Sequence, residues 1–159
     1  GVDYLTWEKD GYLETTPGKA ISKMVVCARI VELSTMFDLK VIGYDRWRIE
    51  DLKQMLDDDG VEIPLAPYGQ GFKDMGPAVD EFERLLLSVE CKCNDNPVMT
   101  WCAANAITDT DPAGNRKMSK SKATGRIDGI VATLNAVGML LRPEDEEDRV
   151  ITEEDLMFL

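Results

Sequence analysis

Two acids stand where carboxylate chemistry on a phosphodiester would need them. Asp45 closes the run Lys40-Val-Ile-Gly-Tyr-Asp45, a short apolar strand, and open α/β sheets place their sites at the carboxyl ends of strands. The plainer role for Asp45 is N-cap of a helix starting at Arg46, although Arg48 occupies the position where a capping box would carry Glu or Gln. Asp128 falls in the first turn of an amphipathic helix, where its plainer role is to complement the helix dipole. A carboxylate at that position is kept ionised by the helix N-terminus and can coordinate a hard cation. Divalent ions that cut phosphodiesters are held by carboxylates converging from separate elements, with paired metals ~4 Å apart. One acid from a strand end and one from a helix start meet that requirement.

The run Lys117-Met-Ser-Lys-Ser-Lys-Ala-Thr-Gly-Arg126 has the make-up of a phosphate-contacting loop. Lys117, Lys120, Lys122 and Arg126 supply charge, and serine, threonine and glycine supply hydroxyls and close backbone approach. A solvated surface loop is the alternative. Other chemistries are narrowed by composition. The chain has no histidine, so no Ser-His-Asp or Cys-His relay and no imidazole ligand can form. Cys91-x-Cys93 lacks the spacing of structural zinc sites, and Cys27, Cys91, Cys93 and Cys102 read as small, partly buried thiols. Gly69-Gln-Gly71 is too short for a phosphate fingerprint, and no phosphate-binding Gly-x-x-x-x-Gly-Lys-Ser/Thr loop is present. Trp47 and Trp101 fit core positions better than stacking platforms.

At 159 residues with 44% hydrophobic and 30% charged composition, the chain suits one soluble globular domain burying roughly two-thirds of its unfolded surface. No stretch reaches the ~18 apolar residues of a membrane span. The formal charge of −12 is uneven: the segment from Pro143 carries −7 and leaves −5 for the rest, while Pro112 to Ile127 holds five bases and no acid. Such a chain has no long-range attraction for a polyanion, so nucleic-acid contact must be local or metal-assisted.

These residues need elements to position them. Tyr4, Leu5, Trp7, Tyr12 and Leu13 surround a Lys9-Asp10-Gly11 turn, as in a short hairpin or an irregular packed segment. Thr16-Pro17 opens a helix ending near Phe37, with Ile21, Met24, Val25, Ala28 and Val31 inward. After the strand to Asp45 comes a helix from Arg46 to Asp58 with Ile49, Leu52, Met55 and Leu56 on one side. An edge strand follows over Val61 to Leu65, interrupted by Pro64. Pro77 opens a helix carrying Val79, Phe82, Leu85, Leu86 and Val89, and Asn96-Pro97 a short one through Ala104. Ala106–Thr110 and Asn115–Ser119 form a hairpin about Asp111-Pro-Ala-Gly114. The last helix, Ile127 to Leu141, points Ile127, Ile130, Val131, Leu134 and Val137 inward. Strand–helix–strand order predicts an α/β domain with a parallel crossover.

Taken together, Ile42-Gly-Tyr-Asp-Arg-Trp47, Gln70-Gly-Phe-Lys-Asp-Met75, Asn96-Pro-Val with Trp101 and Asn105, Thr110-Asp-Pro-Ala-Gly-Asn115 and Arg126-Ile-Asp-Gly-Ile-Val-Ala132 resemble the C-terminal nuclease domain of tailed-phage terminase large subunits, in the family's order. The resemblance implies a ribonuclease-H-like mixed sheet flanked by helices, lacking the N-terminal strands, with the nuclease portion over 1–142 and an acidic tail over 143–159. It implies cleavage of concatemeric viral DNA by a two-metal Mg²⁺ or Mn²⁺ site. Asp45 matches the acid closing the family's fourth strand and Asp128 the acid opening its final helix. Lys117, Lys120, Lys122 and Arg126 would lie against DNA. Implied partners are double-stranded DNA, the terminase small subunit and the portal protein, in the cytoplasm of a bacterial host and away from any membrane. The family's first acid sits on a strand upstream of the region resembling Trp7, and Asp3 and Asp10 lie outside that motif. The motor ATPase is likewise not in this sequence, so the chain reads as a fragment, a truncated prophage gene product or one part of a larger enzyme, with weak metal affinity and slow or undetectable cutting alone. Asp109 and Asp111 on the hairpin are reserve ligands. A non-catalytic module docking a protein through its acidic tail, or a nuclease of another ribonuclease-H-like family such as a junction resolvase, are the alternatives.

Overall fold

A computed structural model describes residues 2–46, 49–58, 60 and 62–142. Trp47, Arg48, Val61 and the acidic tail 143–159 lie outside them. The order of elements is α1 (Tyr4–Lys9), α2 (Lys23–Met36), β1 (Ile42–Tyr44), α3 (Glu50–Asp58), β2 (Leu65–Pro67), α4 (Phe72–Leu87), α5 (Pro97–Asn105), β3 (Thr108–Thr110), β4 (Arg116–Met118) and α6 (Asp128–Leu140). The α/β class expected from the sequence holds. β1 and β2 pair in parallel across the α3 crossover, and β3 and β4 pair antiparallel as the expected hairpin.

The core lies between α4 and α6. Met75, Ala78, Val79 and Phe82 of α4 meet Ile130, Leu134, Val137 and Met139 of α6, joined by Tyr68 and Cys102. The inward face expected for the last helix is the one observed: Ile127, Ile130, Leu134 and Val137 are buried. β1 lies directly on α6, and a larger residue at position 43 would have to displace Met139. A Cβ on Gly43 would stand 2.7 Å from Met139 Cγ and 3.4 Å from the Asn135 carbonyl. Trp101 packs against this core and forms an aromatic trio with Tyr4 and Trp7, at centroid distances of 5.9 and 5.7 Å. That trio explains why the opening segment is a short helix rather than a hairpin or an irregular segment: an i, i+3 pair faces one partner ring.

α3 begins at Glu50 rather than Arg46, so Asp45 is not its N-cap, and four further boundaries differ from expectation, each for a local reason. α2 begins at Lys23 rather than beside Thr16-Pro17, because Gly18 adopts a left-handed φ of +99° that breaks any helix there; Ser22 is the cap, accepting the Met24 amide at 3.3 Å. Its inward residue is Cys27, whereas Ile21, Met24, Val25 and Ala28 are exposed. β2 lies at Leu65–Pro67, not Val61–Leu65. Pro64 precedes the ladder and uses only its carbonyl, which accepts the Ile42 amide at 2.9 Å; Pro67 ends the strand, where the Tyr68 amide takes over by donating to Tyr44. Pro77 lies inside α4, which starts at Phe72 behind the Gly71 cap. Gly76 before it has no Cβ to clash with the proline ring, so the helix runs through. At the other end Val89, with φ of 58°, is outside the helix, and Val89 and Leu86 are exposed rather than buried.

Candidate active site

Parallel pairing places the carboxyl ends of β1 and β2 side by side, so Asp45 after β1 and Gln70 after β2 emerge at the same edge. They line one cleft of about 310 Å³ with Asp109 of β3, Lys117 and Met118 of β4, Ser119, Lys120 and Ser121 of the basic loop, and Val131 of α6. Asp45 therefore shares a cleft with two of the predicted phosphate contacts, Lys117 and Lys120. Asp128, Lys122 and Arg126 do not line it. Asp128 is exposed on the first turn of α6, three residues before Val131 and so about 4.5 Å back along the helix axis.

The start of α6 is fixed by close packing on α5. A Cβ on Gly129 would lie 2.9 Å from Met99 Sδ and 3.3 Å from Cys102 Sγ, so the helix carrying Asp128 sits as near α5 as a glycine permits. α5 itself is set by Asn96, whose Oδ1 accepts the Val98 and Met99 amides at 3.0 and 3.1 Å, with Pro97 at the first position.

The basic loop is not loose. The Ser119 amide donates to the Ile107 carbonyl at 2.8 Å, and the Thr124 hydroxyl donates to Asn105 Oδ1 at 2.9 Å. Lys122 donates to Asp109 Oδ1. That bond and then a hydrogen bond from Ser119 hold the Asp109 carboxyl below its ordinary range against the opposing effect of burial, with lesser help from the charges of Lys122 and Lys117. Lys117 Nζ stands 4.6 Å from the Phe72 ring centre, which ties β4 to the start of α4. Lys120 and Arg126 have no carboxylate partner among the described residues.

Asp111 is occupied by its own turn. Oδ1 accepts the Ala113 and Asn115 amides at 2.9 and 2.8 Å, and Oδ2 accepts the Asn115 side-chain amide at 2.9 Å. Arg116 joins this hairpin to α4 through Asp80 and Glu83, both at 2.6 Å. Among the described residues no three histidines, cysteines or acids gather as a cation site. Cys27 and Cys102 are buried, Cys91 is half-buried and Cys93 exposed.

Gln70, which opens one of the blocks that carry the family resemblance, is the cleft residue to which the sequence assigned no role. The signal that finds it is topological: whatever follows the second of two parallel strands shares an edge with whatever follows the first.

Residues 1–144 match the family described as terminase large subunit, endonuclease domain. Over 135 residues, 85% of the chain, the sequence is 49% identical to the terminase large subunit of Enterobacteria phage HK97, covering 27% of that protein. It is 26% identical over 143 residues to protein YmfN of Escherichia coli (strain K12), covering 89% of this chain and 31% of that one. The crystal structure of the HK97 bacteriophage large terminase superposes with a TM-score of 0.81 at 48% identity, over 86% of this chain and 29% of that chain. That superposition carries the ribonuclease-H-like fold class expected from the sequence. The chain spans less than a third of the length of each of these relatives. With the family matched over nearly its whole length and the fold superposed, the chain belongs to the terminase large subunit endonuclease-domain family.

Proposed function

We propose that this chain supplies two of the catalytic carboxylates, Asp45 and Asp128, of a Mg²⁺- or Mn²⁺-dependent endonuclease that cuts concatemeric viral DNA during genome packaging. The observation that carries the reading is the cleft itself: Asp45, at the carboxyl end of β1, faces the same space as Lys117 and Lys120 and as α6 one turn from Asp128. The donors there fit the cation. Asp45 and Asp109 carboxylates, the Gln70 amide and the Ser119 and Ser121 hydroxyls are all hard oxygen ligands, the kind Mg²⁺ and Mn²⁺ prefer.

In this reading Asp45 and Asp128 would hold the metal, whose chemistry there would be activation of water and stabilisation of the leaving 3′ oxygen. Lys117, Lys120, Lys122 and Arg126 hold the phosphate backbone in register without reading bases. Asp109 keeps Lys122 and its loop against the hairpin. Residues 1–142 are the working unit, and the reaction takes place in the host cytoplasm with the small subunit and portal as partners.

The test is cleavage of supercoiled plasmid by the native protein carrying this chain, with Mn²⁺ present. Asp45→Asn and Asp128→Asn should each abolish cutting while leaving the melting temperature close to wild type. Retained cutting in either variant rejects that residue as a metal ligand. A wild-type protein that neither melts differently with Mn²⁺ nor retains DNA at low salt is instead a docking module.

A further inference from the structure

Gln70 is held by its nitrogen alone. Nε2 donates to the Tyr68 main-chain carbonyl at 3.2 Å and to Asn135 Oδ1 at 3.1 Å. A main-chain carbonyl can only accept, so the amide cannot be turned over, and its oxygen is the atom left without a hydrogen-bond partner among the described residues. No fully buried side-chain nitrogen or oxygen among those residues lacks a partner, so Oε1 reaches solvent. The solvent beside Gln70 is the cleft it shares with Asp45.

The two acceptors that fix the amide are themselves rigid. Asn135 is buried on α6, one turn beyond the cleft residue Val131. Tyr68 is buried, and its hydroxyl donates to the Asp74 carbonyl at 2.7 Å. An amide tied at two points to immobile groups presents its remaining oxygen at little entropic cost, which is how a supporting shell orients a ligand.

We infer that Gln70 is a positioning residue that offers its side-chain oxygen as a neutral hard donor to the divalent cation held at Asp45. The inference rests on the reading of Asp45 as a cation ligand. It adds a donor that carries no charge and so raises no repulsion against the carboxylates beside it.

The experiment measures Mn²⁺ binding directly, by the electron paramagnetic resonance signal of free Mn²⁺, on the native protein without DNA, so that no turnover enters. Gln70→Met, similar in length but without the oxygen, should weaken Mn²⁺ binding about tenfold. Gln70→Glu, which puts a carboxylate oxygen in its place, should hold or tighten it. Opposite directions in two variants that both lose the Tyr68 and Asn135 bonds are a signature that a purely structural role cannot produce. Equal weakening in both, or no change in Gln70→Met, overturns the inference while Asp45→Asn still abolishes binding. Unchanged binding in Asp45→Asn removes the ligand role of Asp45 and this inference with it. Should Gln70→Met fail to fold, weaker binding by Gln70→Glu alone overturns the inference.

Discussion

Asp109 and Lys122 form an ion pair that fastens the basic loop to the hairpin at the edge of the cleft Asp45 lines. The Asp109 carboxyl is held below its ordinary range, by the Lys122 bond first and the Ser119 hydroxyl second. A carboxyl depressed on folding contributes stability that is present above its unfolded value, near 3.9, and lost as pH falls through the lower folded value. Amide protection across 119–124 should therefore stay constant from pH 8 to about 5 and fall only below about 4. Hydrogen exchange over that range checks it, and loss of protection between pH 7 and 5 contradicts it.

The same pair ranks the lysines. Lys120 and Arg126 are exposed with no carboxylate partner among the described residues, whereas the charge of Lys122 is already answered by Asp109. Each phosphate contact adds about one unit to the slope of log affinity against log salt. In fluorescence anisotropy with duplex DNA, Lys120→Ala and Arg126→Ala should each lower the slope by about one. Lys122→Ala should lower it by less, and Asp109→Asn should tighten binding at low salt. Equal effects from all three bases would contradict this ranking.

Tyr68 and Gly138 test the packing that holds β2 on α6. A Cβ on Gly138 would lie 1.9 Å from the Tyr68 hydroxyl oxygen and 2.1 Å from the ring carbon bearing it. Gly138→Ala should cost about 1–3 kcal/mol in denaturant unfolding. Tyr68→Phe, which gives up the bond to Asp74, should cost about 0.5–1.5 kcal/mol and should not rescue Gly138→Ala, because the ring carbon remains. Burial pushes the Tyr68 phenol up, so this part of the stability is whole below pH ~10 and is lost as pH rises through the folded value. An unchanged midpoint in Gly138→Ala contradicts the packing described.

What the sequence disclosed well was local. The Asp111-Pro-Ala-Gly114 turn, the Asn96-Pro97 helix start and the inward face of α6 each depend on a few adjacent residues, and each is found where the residues place it. The misplaced boundaries depend on tertiary relations. Pro77 is tolerated inside α4 because Gly76 precedes it, and α2, which packs chiefly on α3, turns Cys27 inward. Asp45, Asp109, Lys117 and Lys120 were named from their sequence context, and strand pairing is what brings them to one cleft, while Asp128, Lys122 and Arg126 do not line it. A role for Gln70 was not legible, because the residue reaches the cleft through the parallel pairing of β1 and β2.

The central claim is that Asp45 and Asp128 act on one metal centre. Crystals of the native protein soaked in Mn²⁺ and measured at the manganese absorption edge test it most directly. The account predicts anomalous density within bonding reach of both carboxylates, with any second peak ~4 Å from the first. Carboxylates facing separate surfaces, with density at neither or at only one, would contradict it.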